Sequence, residues 1–156
     1  MNGDAAGREA PGDVRELLER IDAAWSDWLA RLDGIPEDRL EMPGACGEWS
    51  VKHLMGHLAF WDGIAIGKIE RALAGLPGEA VDFQPLNEAD HAARLGRSLA
   101  EERSAMHQAH AELVEQLESV AGIEAAPIDE AISVDTYDHY AEHVRDIEGW
   151  RQREGL

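Results

Sequence analysis

The chain has 156 residues, of which 44% are hydrophobic and 29% are charged, so it has the length and composition of one globular domain with its own core. Fourteen Lys and Arg residues against 32 Asp and Glu residues give a formal net charge of −18. Because this charge repels phosphate backbones and anionic lipids, it argues against nucleic acid and membrane surfaces as partners.

Residues 1–12 (MNGDAAGREAPG) are small, polar and interrupted by Gly and Pro, which predicts a flexible tail before a single domain over 13–156. They lack the basic start and apolar stretch of a signal peptide, and no run in the chain reaches the roughly 18 apolar residues that span a bilayer. Cys46 is the single cysteine, which rules out an intramolecular disulfide. Together these features predict a cytoplasmic protein.

Two helices are predicted in the first half of the chain. Apolar residues at spacings of three and four define helix one, which starts near Asp13 and ends at Gly34. Several Pro and Gly residues then predict a long connection as far as Trp49. Ser50 is the predicted N-cap of helix two, whose apolar stripe stops before Gly75.

The second half of the chain predicts a loop over 76–85 and two more helices. Asn87 is the predicted cap of helix three, which continues to about Val120, and Gly122 and Pro127 then predict another loop. Helix four covers roughly 135–153. No segment alternates with the period of two that marks a half-buried strand. Four amphipathic helices bury their apolar stripes together only around a shared core. The predicted fold class is therefore all-α, a four-helix bundle with long connections after helices one and two.

Three pairs of histidines share a helix: His53 with His57, His107 with His110, and His139 with His143. A spacing of three or four places two rings on one helical face within reach of one ion, and imidazole is a ligand for Zn, Ni, Cu and Fe. Helical phase, at about 100° per residue, directs His57 and His143 towards the apolar stripes of their helices and places His139 at the margin of the same arc.

Phase alone leaves alternatives open. It directs His110 inward as clearly as His57. We interpret His110 as a buried residue with a structural role, or as one that hydrogen-bonds to a metal ligand, in preference to a direct metal ligand. His53, His91 and His107 lie at the margins of their stripes, where exposure is expected.

Two weaker groups are assigned structural roles. Cys46, in a loop that contains Pro and Gly, is interpreted as a small, partly buried residue in preference to a reactive thiol or metal ligand. The acidic pair Glu101–Glu102 and a second pair, Asp129–Glu130, are interpreted as solvated surface.

Two segments resemble the DinB-like superfamily, which includes DinB and ClbS/DfsB-like four-helix bundles. Residues 47–61 (GEWSVKHLMGHLAFW) resemble its helix-two signature, in which a W-S-[VI]-[KR] start leads to one metal-binding His, here His57. Residues 137–151 (YDHYAEHVRDIEGWR) resemble its last helix, where an H-x-x-x-H pair supplies two more ligands, here His139 and His143. The resemblance covers 13–153. It implies a bundle, often a homodimer, that holds a divalent ion such as Zn²⁺ or Ni²⁺.

Relatives in this superfamily include thiol-dependent S-transferases and isomerases that use mycothiol or bacillithiol. The resemblance therefore implies a metal-dependent enzyme in which the ion activates a thiol or water, for transfer of a low-molecular-weight thiol to a small-molecule electrophile or for hydrolysis. One alternative is a bundle that binds metal or a small molecule without turnover. Another is a dimerisation module without metal. The family's usual His and Gln after the last pair are replaced by Asp146, Ile147 and Glu148, so the resemblance does not define the substrate.

Overall fold

The computed structural model describes residues 8–156, which form six α-helices and two short 3₁₀ turns and contain no β-strand. The prediction of an all-α fold is confirmed. Residues 1–7, most of the predicted tail, lie outside the described residues, so the division into tail and domain stays a prediction. The helices are α1 (Val14–Leu32), α2 (Val51–Leu73), α3 (Phe83–Arg94), α4 (Leu99–Glu118), α5 (Ala126–Ile132) and α6 (Tyr137–Glu154), and the 3₁₀ turns cover Glu37–Arg39 and Ser133–Asp135.

Side-chain caps set where three of the long helices begin. Asp13 accepts a hydrogen bond from the backbone N–H of Glu16 at the start of α1. Ser50 accepts one from His53 N–H, and the Nδ1 atom of His53 accepts one from Ser50 N–H, which closes a capping box at α2. Ser98 and Glu101 form the same arrangement at α4. These caps fix the phase of each helix and therefore which side chains face inward.

The prediction of one continuous helix from Asn87 to Val120 is wrong. The chain leaves α3 after Arg94, passes through Gly96, and restarts at the Ser98 cap, so Asn87 lies inside α3 instead of capping it. Leu95, which continued the apolar stripe in sequence, is 62% exposed. The loop predicted around Pro127 is also wrong. The helix α5 forms there, with that proline in its first turn, where a missing N–H breaks no helical hydrogen bond.

Four helices, α1, α2, α4 and α6, enclose the core. α2 packs mainly against α4, and α1 packs mainly against α6. Trp28 of α1 meets Met106 of α4, while Trp25 meets His110, so these two helices are antiparallel. Two further contacts show that α1 and α6 run in the same direction: Arg20 with Tyr137, and Arg31 with Glu148.

α2 is antiparallel to α6, because Lys68 pairs with Asp135 near one end and His57 meets His139 further along. Two helices therefore point one way, α1 and α6, and two the other, α2 and α4. This is not a simple up-and-down bundle: α2 and α4 run in the same direction, so residues 74–98 carry a crossover along the bundle, whereas residues 33–50 join the antiparallel α1 and α2 at one end. No helix in the described part of the chain is long and apolar enough to cross a membrane.

α3 is attached differently from the other helices, because none of its residues is buried. Three polar or aromatic contacts attach it to the bundle. Asn87 accepts a hydrogen bond from the indole N–H of Trp61, His91 stacks on Trp49, and Arg94 pairs with Glu102. α3 therefore covers one side of α2 without contributing to the hydrophobic core.

Candidate metal centre

Three histidines from two helices meet inside the bundle. His57 lies on α2, and His139 and His143 lie one turn apart on α6. The Nε2 atoms of His57 and His139 are 2.9 Å apart, and those of His139 and His143 are 3.0 Å apart. All three ligand atoms lie within 4.8 Å of one another, and the residues are only 5–9% exposed. The structure thus brings together all three histidines that the sequence had singled out.

The proton inventory at this point of convergence does not close by itself. A neutral imidazole carries one N–H. His143 donates its Nδ1–H to Asp146, so its Nε2 atom keeps a lone pair. With neutral rings, one proton at His139 Nε2 completes either the contact with His143 or the contact with His57, but it does not complete both, so at least one Nε2 lone pair has no donor. The centre has more lone pairs than protons, which is the environment that a cation satisfies.

The donor set also fits a divalent ion. Three imidazoles with a fourth position open is a ligand set of catalytic zinc, and its metal–nitrogen bonds of about 2.0–2.1 Å place nitrogens about 3.3 Å apart in a tetrahedral site. The separations of 2.9 and 3.0 Å are a few tenths shorter, so the rings reach that spacing by small side-chain rotations. This buried triad could therefore hold a metal ion.

Burial keeps two of the three rings uncharged. It is the main cause that lowers the pKa of His57 to about 3, and neighbouring His143 and Arg94 act in the same direction. Burial also lowers the pKa of His139 well below its usual value, with His143 and His57 contributing and the backbone of Asp135 opposing. Neutral imidazole is the form that binds metal, so no proton has to be removed from these rings at pH 7.

The connection between α1 and α2 forms one wall of the site. Its last residues make a tight turn, in which Ala45 and Cys46 donate backbone hydrogen bonds to Trp49 and Gly47 has a positive φ of 57°. This turn brings the Trp49 ring to 4.9 Å from the ring of His57. It also brings the Cys46 sulfur within 4.8 Å of ligand atoms of His143 and Asp146.

Cys46 is half-buried, as the sequence predicted. Burial raises the pKa of its thiol to about 11, and the nearby carboxylate of Asp146 acts in the same direction. The thiol is therefore protonated at neutral pH, which does not favour a role as a nucleophile.

A cavity of about 10 Å³, enough for roughly one water molecule, opens beside His57. Residues of the α1–α2 connection, α2, α3 and α4 line it: Trp49, Lys52, His53, His57, Asp90, His91, Arg94 and Glu102. Glu102 reaches this place because α2 has a glycine there. A Cβ atom on Gly56 would lie 1.6 Å from the Glu102 carboxylate.

Four other histidines lie outside the triad. His110 is 7% exposed, as expected for a buried residue. His107 is exposed, as predicted. The exposure expected for His53 and His91 is wrong: both are half-buried and line the cavity, because the capping box holds one and Trp49 stacks on the other.

Sequence reasoning missed two carboxylates at the site. Glu102 was assigned to solvated surface, but it is 2% exposed and pairs with Arg94 and Arg97. Asp146 was given no role at the site, yet its Oδ2 atom is 2.8 Å from Nδ1 of His143. The i, i+3 spacing from His143 was the available signal, since residues three apart are neighbours on a helix.

The fold and the buried triad define a DinB-like helical bundle with a candidate metal site. The chain belongs to the family described as the mycothiol maleylpyruvate isomerase N-terminal domain, whose model matches residues 7–152. A comparison with curated proteins finds no match.

Solved structures share the fold at low sequence identity. An uncharacterised protein from Escherichia coli UTI89 is 19% identical, with a TM-score of 0.73, over 94% of this chain and 97% of that one. DfsB, described as a sibling lethal factor precursor, is 15% identical, with a TM-score of 0.74, over 93% and 98% of the two chains. The colibactin self-resistance protein ClbS, in complex with double-stranded DNA, is 14% identical, with a TM-score of 0.71, over 90% and 96%.

The expectation that nucleic acid is excluded as a partner is wrong. ClbS has this fold, and its crystal structure contains double-stranded DNA. A net charge of −18 is a sum over the whole sequence, whereas nucleic acid contacts one face of a protein. The overall charge therefore does not decide the question for a bundle of this kind.

Proposed function

We propose that this protein is a divalent-metal-dependent enzyme in which His57, His139 and His143 hold the ion. The observation that carries the proposal is the convergence of three buried Nε2 atoms with more lone pairs than protons among them. His139 and His143 both lie on α6, so the packing of α2 against α6 adds the third ligand, His57. Zn²⁺ or Ni²⁺ suits such imidazole ligands.

When bound, such an ion lowers the pKa of a coordinated thiol or water and so supplies a nucleophile at neutral pH. The residues of the chain supply the surroundings. The buried residues of the bundle core exclude bulk water from one side of His57. The cavity lined by Lys52, His91 and Arg94 gives access from the other side.

The reaction that we propose is transfer of a low-molecular-weight thiol to a small electrophile, with hydrolysis of such an electrophile as the second branch. The family's name, which includes mycothiol, supports the thiol branch. Because the cavity has room for about one water, a thiol or electrophile enters only if α3 shifts. The polar attachment of α3 and its lack of buried residues support such movement.

The test is elemental analysis of protein purified without a His tag, followed by Co²⁺ loading and thiol titration. We expect about one equivalent of divalent metal per chain and a sulfur-to-cobalt charge-transfer band when 2-mercaptoethanol is added. Consumption of thiol in the presence of a reactive electrophile then separates catalysis from binding. Absence of stoichiometric metal after reconstitution contradicts the proposal.

The small cavity favours a second function, binding of metal without turnover, as in a sequestering protein or sensor. The two functions differ in the fourth coordination position. An enzyme exchanges it with exogenous thiol, so the Co²⁺ spectrum changes on addition of thiol. A sequestering site keeps its spectrum unchanged and shows no thiol consumption.

A further inference from the structure

Asp146 touches the triad without belonging to it. It follows His143 by three residues on α6, and its Oδ2 atom lies 2.8 Å from the Nδ1 atom of that ring. A carboxylate only accepts hydrogen bonds, so the proton of this contact is on Nδ1, and in the neutral ring the lone pair is then on Nε2, the atom that faces the other two histidines.

The three histidines differ in this respect. Among the described residues, His143 is the one member of the triad whose second ring nitrogen meets a carboxylate. The Nδ1 atom of His139 is buried and makes no hydrogen bond of normal geometry, although the backbone of Asp135 lies close enough to act on its pKa. The orientation and tautomer of His143 are therefore fixed by a named partner, whereas His139 is held by packing.

Asp146 also lies close to the connection between α1 and α2. Its side chain is 34% exposed, on the side where the turn at residues 44–49 approaches α6. The Cys46 sulfur lies within 4.8 Å of an Asp146 oxygen, and the backbone hydrogen bonds between Cys46 and Trp49 fix that turn. The carboxylate thus stands between the connecting turn and the triad.

We propose that Asp146 is a positioning residue, which sets the tautomer and orientation of His143 and so raises the affinity of the triad for a divalent ion. This inference rests on the proposed function, since it requires that His143 is a ligand. Carboxylates hydrogen-bonded to ligating imidazoles act in this way in metal sites generally, and their loss costs about 10–100-fold in metal affinity.

The experiment compares Asp146→Ala, Asp146→Asn and Glu142→Gln. Glu142 is exposed on the same helix and makes no hydrogen bond among the described residues, so its variant matches the charge change alone. Zn²⁺ affinity is measured by competition with a chromophoric chelator. We expect about 10–100-fold weaker binding in Asp146→Ala, a smaller loss in Asp146→Asn, whose amide oxygen still accepts the Nδ1–H, and less than twofold change in Glu142→Gln.

A second measurement separates this inference from the proposed function. In the metal-free protein, ¹⁵N NMR of the histidine rings reports the tautomer of His143 directly. We expect the Nδ1–H form in the wild type and a mixture of tautomers in Asp146→Ala. If the wild type binds no metal, the proposed function fails whatever the tautomer. If it binds metal and Asp146→Ala binds equally well, or if the tautomer does not change, the positioning role is wrong while the metal site stands.

Discussion

Buried histidines lie in two places in the bundle, the triad and the group around His110, and their ring nitrogens have different partners. His110 stacks on Trp25 at 3.8 Å between ring centroids with 5° between the planes, and its Nδ1 atom lies 3.2 Å from the hydroxyl of Tyr140. Its neighbours are an aromatic ring, a phenol hydroxyl and a carboxylate, and the contacts with these groups need no bound ion. The triad has only other imidazoles at its centre. Burial and inward direction are shared by both groups, so the partners of the nitrogens are what distinguish a packing histidine from a candidate ligand.

The group around His110 is completed by a carboxylate. Tyr140 donates its hydroxyl hydrogen to Oδ1 of Asp62 at 2.6 Å, while Oδ2 of Asp62 is 3.8 Å from Nδ1 of His110 and makes no hydrogen bond. Burial raises the pKa of Asp62, against the lowering effects of His110 and Tyr140. This group therefore stabilises the bundle through packing and one short hydrogen bond, and we expect it to have no effect on metal content.

The largest contrast between the groups is expected in metal content. His143→Ala removes one of three proposed ligands, so the folded variant is expected to lose most of its bound metal, with affinity reduced about 100-fold or more. Elemental analysis after dialysis against buffered Zn²⁺ measures this. His107→Ala, which removes an exposed ring from α4, is the control and is expected to keep full occupancy. Stoichiometric metal in a folded His143→Ala protein contradicts the ligand assignment.

Removal of metal is expected to lower the free energy of unfolding, and the whole of this loss should come from metal bound at the triad. Binding to the native state adds about 2.7 kcal/mol to the free energy of unfolding when free metal is 100 times its dissociation constant. Urea denaturation of wild-type protein with Zn²⁺ and with a chelator measures this increment. His143→Ala should show almost none of it. An equal increment in that variant would mean that metal binds elsewhere.

His110→Ala is expected to reverse the pattern. It loses the stacking on Trp25 and the contact with Tyr140 inside the core, so the free energy of unfolding should fall by about 2 kcal/mol. Metal stoichiometry should stay at the wild-type value. Urea denaturation of the metal-free proteins isolates the stability effect, and His107→Ala should change it by less than about 0.5 kcal/mol. Loss of metal from a folded His110→Ala protein would remove the distinction between the two groups.

Local signals in the sequence predicted much of this arrangement. The Ser50 cap and the apolar stripe fixed the start and phase of α2, and these placed His57 inward; the stripe of α6 did the same for His143. Phase reports a direction but not a partner, which is why His110 could not be separated from His57 before the structure was known.

The features that the sequence did not predict depend on contacts between elements. Glu102 is buried because Arg94 and Arg97, from α3 and the segment after it, pair with it and because Gly56 leaves space on α2. The break at Gly96 was hidden because an apolar spacing happened to continue across it. Asp146 faces a ligand at the edge of the helix, where a division into inward and outward sides is too coarse.

The smallest expected effect tests the charge within the His110 group. The pKa of Asp62 is raised in the folded protein, so its folded pKa lies above the unfolded value of about 3.9. The folded state then binds the proton more tightly, and the contribution of Asp62 to stability falls as pH rises from the unfolded pKa through the folded one, then stays constant above it.

Asp62→Asn removes this dependence and keeps an oxygen that accepts from Tyr140. Relative to wild type, the variant should therefore gain stability as pH increases across this window, by a fraction of the His110→Ala effect. Urea midpoints of both proteins without metal, measured from pH 4 to pH 8, provide the comparison. A difference that shrinks with rising pH would show that the carboxylate is held as a favourable charge, and that this group, like the triad, contains an electrostatic site.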